Sequence, residues 1–227
     1  DECENSGRLS ILTGGKYRAG GIVGQVGSNQ YVKVSGCTHS GILANERQVN
    51  TSEFFGCIVG NVDATKLLID NCTTTGTICS LYPTLKEVDS SKGNIFILLG
   101  GILGNSNNTT TDDSVIISNC TYKGKSLSSH DALNTWDSAT GKWVVGNNYQ
   151  YRAALVGNIK SANTVTVKDC KVGGCVGKVK GGTGNDRYDA DVVHNLVNTD
   201  GDYYFERWRH AYTVSPKYSN ITYLDVQ

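Results

Sequence analysis

Eight cysteines among 227 residues are the side chains here most able to do chemistry, because thiolates bind zinc and oxidise to cross-links. Five of them share one spacing. Cys3, Cys37, Cys72, Cys120 and Cys170 are each followed four positions later by a glycine: Gly7, Gly41, Gly76, Gly124 and Gly174. No Cys-x-x-Cys spacing and no paired histidine accompanies them, so no metal site is expected. The five read instead as small, inert side chains filling equivalent interior positions, and the competing reading is a set of disulfides involving Cys57, Cys79 and Cys175. His39, His130, His194 and His210 have no partner phrase for a Ser-His-Asp or Cys-His arrangement, and are expected in exposed turns or insertions.

Two carboxylates at a suitable separation are enough for glycoside hydrolysis. The acid-rich segment is Asp186, Asp189, Asp191, Asp200, Asp202 and Glu206, and no matching acids recur with the cysteine spacing, so the chain reads as non-catalytic with no cofactor. Asn198 to Asp202 loosely resembles a calcium loop, but the later glycine and glutamate of that pattern are missing, and the segment reads as a solvated turn. The aromatic residues say more. Trp136 and Trp143 lie near Tyr149 and Tyr151, while Trp208 lies near Tyr203 and Tyr204, all outside the repeated phrases. Such platforms suit stacking on sugar rings or anchoring a protein, and the competing reading is a cap over exposed strand edges.

The elements that carry these residues follow from the repeat. Before the last four repeat cysteines stand alternating aliphatic pairs in one register: Val32 and Val34, Leu67 and Ile69, Val115 and Ile117, Val165 and Val167. Each pair marks a strand with one buried face. A second phrase, two small residues, two aliphatics and a glycine, precedes each of these cysteines and ends at Gly24, Gly60, Gly104 and Gly157. Paired small residues at one place in every unit imply close backbone approach or positive φ. A third short apolar segment follows each Cys-to-Gly turn, which suits a three-sided coil. No such unit buries its apolar face alone, so the units must stack. The expected fold is all-β, a parallel β-solenoid of about four imperfect repeats over residues 1–177, with an aromatic-rich capping tail over residues 178–227.

Successive repeat cysteines from Cys3 are 34, 35, 48 and 50 residues apart, and the growth follows the Cys-to-Gly turn, as expected of insertions on one side of the coil. Cys3 lacks preceding strands, so the sequence is expected to start inside a repeat. The absence of any Met suggests a removed initiator or signal segment, or a longer precursor. Lys plus Arg and Asp plus Glu both total 21, with no basic stripe, which argues against a nucleic-acid partner. No stretch approaches the roughly 20 apolar residues that span a bilayer, so no membrane insertion is expected. Asn-x-Ser/Thr triplets at Asn50, Asn71, Asn107, Asn108, Asn119 and Asn220 read as turn chemistry.

The phrases Gly-Ile-Val-Gly, Gly-Ile-Leu-Gly and Ala-Leu-Val-Gly, each followed by an Ile-Ser-Asn-Cys-Thr-like strand end and a glycine, resemble the GLUG-type repeats of secreted and cell-surface, adhesin-like proteins. The resemblance covers roughly residues 19 to 177. It implies an accessory module without catalytic residues. The long third and fourth insertions and the tail depart from that pattern. The expected function is an extracellular or cell-surface binding or adhesion module, with insertions 125–152 and 178–212 contacting a host or surface glycan or protein. The rivals are a coat or filament subunit built from copies of itself, and a polysaccharide-processing enzyme.

Overall fold

The structure, a computed structural model, describes residues 1–11, 17–27, 31–45, 53–63, 66–80, 96–106, 114–128, 134–137, 142–145, 149–159, 164–179, 190–194, 205–208 and 217–224. Every regular element among them is a strand, and most of the strands stack in register into a parallel β-solenoid. One turn of the coil contributes five short strands rather than three. The first full turn comprises Tyr17–Gly20, Val23–Val26, Tyr31–Ser35, Thr38–His39 and Ile42–Asn45. Two breaks produce the extra division. The small residues of the glycine phrase bend the chain between its first two strands, and a residue of positive φ turns it just before each repeat cysteine.

The alternating pairs occupy one column. Val32, Leu67, Val115 and Val165 are successive register partners, as are Val34, Ile69, Ile117 and Val167. The inward side chains of Leu67, Ile69, Val115 and Ile117 meet those of the glycine-phrase column, so Ile58, Ile102 and Leu155 join them in one continuous core. That core forms because alternate residues of a strand share a face, and stacking at about 4.8 Å per turn places like residues over like.

The column also takes in residues the sequence placed in the tail. Lys217–Ser219 pairs in parallel with Thr164–Lys168, and Thr222–Tyr223 pairs in parallel with Lys171–Val172, so residues 217–224 form part of a further turn. Two other tail segments stack differently. Ala190–His194 runs antiparallel to Cys175–Val179, and Phe205–Trp208 runs antiparallel to Tyr149–Ala153.

Candidate functional site

The turn that positions each repeat cysteine is built from the residue before it. Glu2, Gly36, Asn71, Asn119, Asp169 and Asn220 all have positive φ, between 52° and 66°. Asn and Asp tolerate that left-handed conformation better than other L-residues, which accounts for three Asn and one Asp among the six. The turn redirects the chain while keeping its backbone paired: the amides of Gly36, Asn71 and Asn119 donate to the carbonyls of Asp70, Ser118 and Lys168, one turn further on, at 3.0, 3.0 and 3.2 Å. Two of the Asn side chains add a second link along the axis. Asn119 Nδ2 donates to Asp70 Oδ1 at 2.8 Å and Asn220 Nδ2 donates to Asp169 Oδ1 at 3.0 Å. The Asn-Cys-Thr triplets at Asn71 and Asn119 therefore serve turn geometry.

The cysteines that follow lie one above another. The amides of Thr38, Thr73, Thr121, Lys171 and Thr222 donate to the carbonyls of Cys3, Cys37, Cys72, Cys120 and Cys170 at 2.8 to 2.9 Å, which links each turn to the next. Cys37, Cys72, Cys120 and Cys170 are buried, Cys3 is exposed, and all eight cysteines are free thiols. Each thiol of the column donates to the carbonyl two residues back, as Cys120 Sγ does to Ser118 O at 3.2 Å. The buried thiols titrate as a set: hydrogen bonding with Cys120 lowers Cys72 and Cys170, while Cys120, between them, is raised. Among the described residues no group of three or more His, Cys, Asp or Glu is arranged to hold a metal ion.

A second interior column explains the paired small residues. Asn5, His39, Thr74, Tyr122, Val172 and Tyr223 are successive register partners. His39 and Tyr122 point inward and are buried. A Cβ on Gly21 would fall 2.2 Å from the His39 ring, and one on Gly101 would fall 2.2 Å from the Tyr122 ring. Where the column carries the smaller Thr74 and Val172, the corresponding positions hold Cys57 and Ala154 instead of glycine. Gly20, Gly56 and Gly100 answer to a backbone constraint: a Cβ on each would come within about 2 Å of the carbonyl oxygen of Val23, Val59 and Leu103. Close approach, and not positive φ, fixes these small pairs, since Gly36 alone among the described glycines has φ in the left-handed region.

Exposed-loop placement fails for His39, which is 1 % exposed. Its Nδ1 has no hydrogen-bond partner among the described residues, and burial pushes the imidazole below its usual range. Sequence reasoning missed it because a lone histidine in an Asn- and Thr-rich segment resembles a turn. The available signal was its position two residues after the repeat cysteine, where Tyr122 and Val172 stand in later turns. Tyr122 is anchored through its hydroxyl, which donates to the Cys175 carbonyl at 2.7 Å.

A third column was also missed. Gln25, Asn61, Asn105 and Asn158 are register partners immediately after Gly24, Gly60, Gly104 and Gly157. Asn158 Nδ2 donates to Asn105 Oδ1 at 2.8 Å, and Asn105 Nδ2 donates to Asn61 Oδ1 at 2.7 Å. The repeated Gly-Asn pair was the legible signal, and it resembles turn sequence out of context.

The aromatic residues proposed for contact fall into two groups. Trp136 and Trp143 are register partners in an antiparallel hairpin formed by Asn134–Asp137 and Lys142–Val145. Tyr149 and Tyr151 lie on the strand Tyr149–Ala153, and Trp208 lies on the adjacent antiparallel strand, with Trp208 opposite Gln150 and Arg207 opposite Tyr151. Tyr149–Ala153, expected in the insertion 125–152, is itself a strand of the coil, parallel to Phe96–Gly100, and Phe205–Trp208 lies beside it in the same sheet. Tyr203 and Tyr204 lie outside the described residues, as do His130, His210, Asp186, Asp189, Asp200 and Asp202. No helix among the described residues is long and apolar enough to cross a membrane. Comparison with protein-family models, curated proteins and solved structures finds no match to this chain.

Proposed function

We propose that this chain is a non-catalytic extracellular or cell-surface binding module of the kind its GLUG-like phrases suggest, with the stacked turns as scaffold and the aromatic insertions as contact surface. The observation that carries this reading is a division of labour in the chain. Among the described residues, the hairpin holding Trp136 and Trp143 pairs with itself alone, whereas the strands of the repeated phrases pair from turn to turn. Residues that need not stack are free to be chosen for contact, and tryptophan and tyrosine supply large, stiff, amphipathic surfaces for a sugar ring or a protein partner. Strand Phe205–Trp208 extends the same sheet as Tyr149–Ala153, which places the second aromatic group on adjacent strands.

The test is binding of the full chain to a glycan array and to a panel of cell surfaces, repeated for Trp136→Ala, Trp143→Ala and Trp208→Ala. Loss of about tenfold or more in affinity for one ligand, with the thermal midpoint unchanged, supports the reading. Equal binding by all three variants, or no retained ligand from either panel, sinks it.

A further inference from the structure

Two facing columns of the interior change character at neighbouring levels of the coil. Ala19, Phe55 and Leu99 are successive register partners on one sheet, Leu43 and Ile78 are register partners on the sheet opposite, and all five belong to one buried apolar cluster. The next member of the second column is Ser126, fully buried, whose hydroxyl has no hydrogen-bond partner among the described residues. The next member of the first column, one turn beyond Leu99, is Arg152. Each column then ends on an antiparallel strand: Glu206 is the register partner of Arg152, and His194 is that of Val176, which follows Ser126. Two separate strands thus bring a carboxylate and an imidazole to matching register positions beyond an arginine, in columns whose earlier members are apolar. Polar and charged groups at core positions cost stability, and such local violations of the pattern mark functional sites. Alternate residues of a strand share a face, so Gln150 and its register partner Trp208 belong to the same face as Arg152 and Glu206.

We infer that this level of the coil is a sugar site, in which Gln150, Arg152, His194, Glu206 and Trp208 take one neutral pyranose of a glycan. The inference rests on the binding-module reading and names the ligand and the residues that reading leaves open. Sugar hydroxyls both donate and accept hydrogen bonds. Arginine only donates, a carboxylate only accepts and glutamine does both, so the set matches a polyol in both directions. Tryptophan adds a flat apolar surface on which a pyranose ring stacks. The charges of Arg152 and Glu206 cancel, and Glu206 repels a second carboxylate, which selects a neutral sugar over a uronate. An ion pair that served only to close the stack would need opposite charges at positions 152 and 206 in either order, whereas a sugar site needs each group where it stands.

The experiment applies the full chain to an array of neutral hexose oligosaccharides and their uronate-bearing counterparts, with the cell-surface panel alongside, and titrates the retained ligand. Glu206→Gln and the charge-swapped double variant Arg152→Glu with Glu206→Arg are compared with the parent for affinity and thermal midpoint. The expected ligand is a neutral oligosaccharide. Its affinity is expected to fall about tenfold or more in Glu206→Gln and in the swapped variant, while the swapped variant, which keeps one charge of each sign, holds the parent's thermal midpoint. Parent affinity in Glu206→Gln, binding restored in the swapped variant, or preference for the uronate-bearing glycans would each overturn the inference. A retained ligand that depends on Trp136 or Trp143 and not on Glu206 overturns this site and leaves the binding-module reading standing, whereas no retained ligand on either panel removes both.

Discussion

At the scale of single residues, size is balanced across the interior: a ring from one strand occupies the space that a missing side chain leaves on another. His39 is the costly member of this arrangement, because an imidazole whose Nδ1 has no partner among the described residues carries a polar atom into a space bounded by Gly21 and Gly76. Cys57, in the adjoining glycine-phrase column, is a thiol that burial pushes up to about 12, and desolvation alone shifts the His39 ring, with no charged described neighbour acting on it. Burial lowers the folded-state affinity of His39 for a proton, whereas in the unfolded chain it titrates near 6.5. Between those values the unfolded state binds more protons, so this contribution to stability is complete above pH 6.5 and lost as pH falls below it. The chemical-denaturation midpoint is expected to fall between pH 7 and pH 5 in the parent chain, and to change less over the same interval in His39→Gln. An equal fall in both would place the titration elsewhere. Asp70, held low by hydrogen bonds from Ser118 and Asn119, acts in a more acidic range and does not confuse the comparison.

At the scale of the strand and its turn, position along the coil determines what each side chain must do, and this decides what the sequence reveals. The asparagine column is continuous from Asn158 through Asn105 to Asn61, with Asn105 both donating and accepting. Asn105→Ala leaves Asn61 Oδ1 and Asn158 Nδ2 without their partner and is expected to cost about 2–4 kcal/mol in equilibrium unfolding. Gln25→Ala removes bonds made by an exposed side chain, to Arg18 and Asp63, and is expected to change stability by no more than about 0.5 kcal/mol. Similar losses in the two variants would mean that the column is not a cooperative unit. The alternating pairs and the repeat cysteines were legible because burial on one face imposes a period of two, and stacking then repeats it. The turn at residues 217–224 was not read as a repeat because Ile221 takes the cysteine's place, although Ser219-Asn220-Ile221-Thr222 keeps the rest of the phrase. Five strands per turn escaped notice because the dividing signals, a small pair and an Asn or Asp of positive φ, occupy one or two residues each. The hairpin of Asn134–Asp137 with Lys142–Val145 could not be read from the repeat at all, since a segment that does not stack has no reason to match another.

At the scale of the whole molecule, the outermost described strands of the stack differ in how they are paired. Beyond Cys175–Val179 and Tyr149–Ala153, antiparallel strands take the last places and interrupt parallel addition. At the other end, the strands Arg8–Ile11, Tyr17–Gly20, Val23–Val26 and Tyr31–Ser35 each have one described neighbour, and the inward side chains Ile22, Val23 and Val32 are only partly buried. Their counterparts one turn in, Ile58, Val59 and Leu67, are at most 1 % exposed. Leu9 and Tyr31 are the large hydrophobic residues most exposed among those described, at 46 % and 66 %, and both lie at this end. Stability in a stacked coil is a sum of nearest-neighbour contacts, so a turn with one neighbour opens at lower free energy than a turn with two. Amide exchange is therefore expected to be fastest in Tyr17–Gly20 and Tyr31–Ser35, slower in Lys66–Asp70 and slowest in Ser114–Ser118, read as a gradient by mass spectrometry under native conditions. Removing residues 1–11 takes away the strands Glu4–Asn5 and Arg8–Ile11, which pair with Thr38–His39 and Ile42–Asn45, so exchange should then quicken at those two strands while Ser114–Ser118 is unchanged. Uniform exchange along the coil, or a truncation that speeds every turn alike, would mean that the stack opens as one unit and that its outermost described turn is no weaker than its middle.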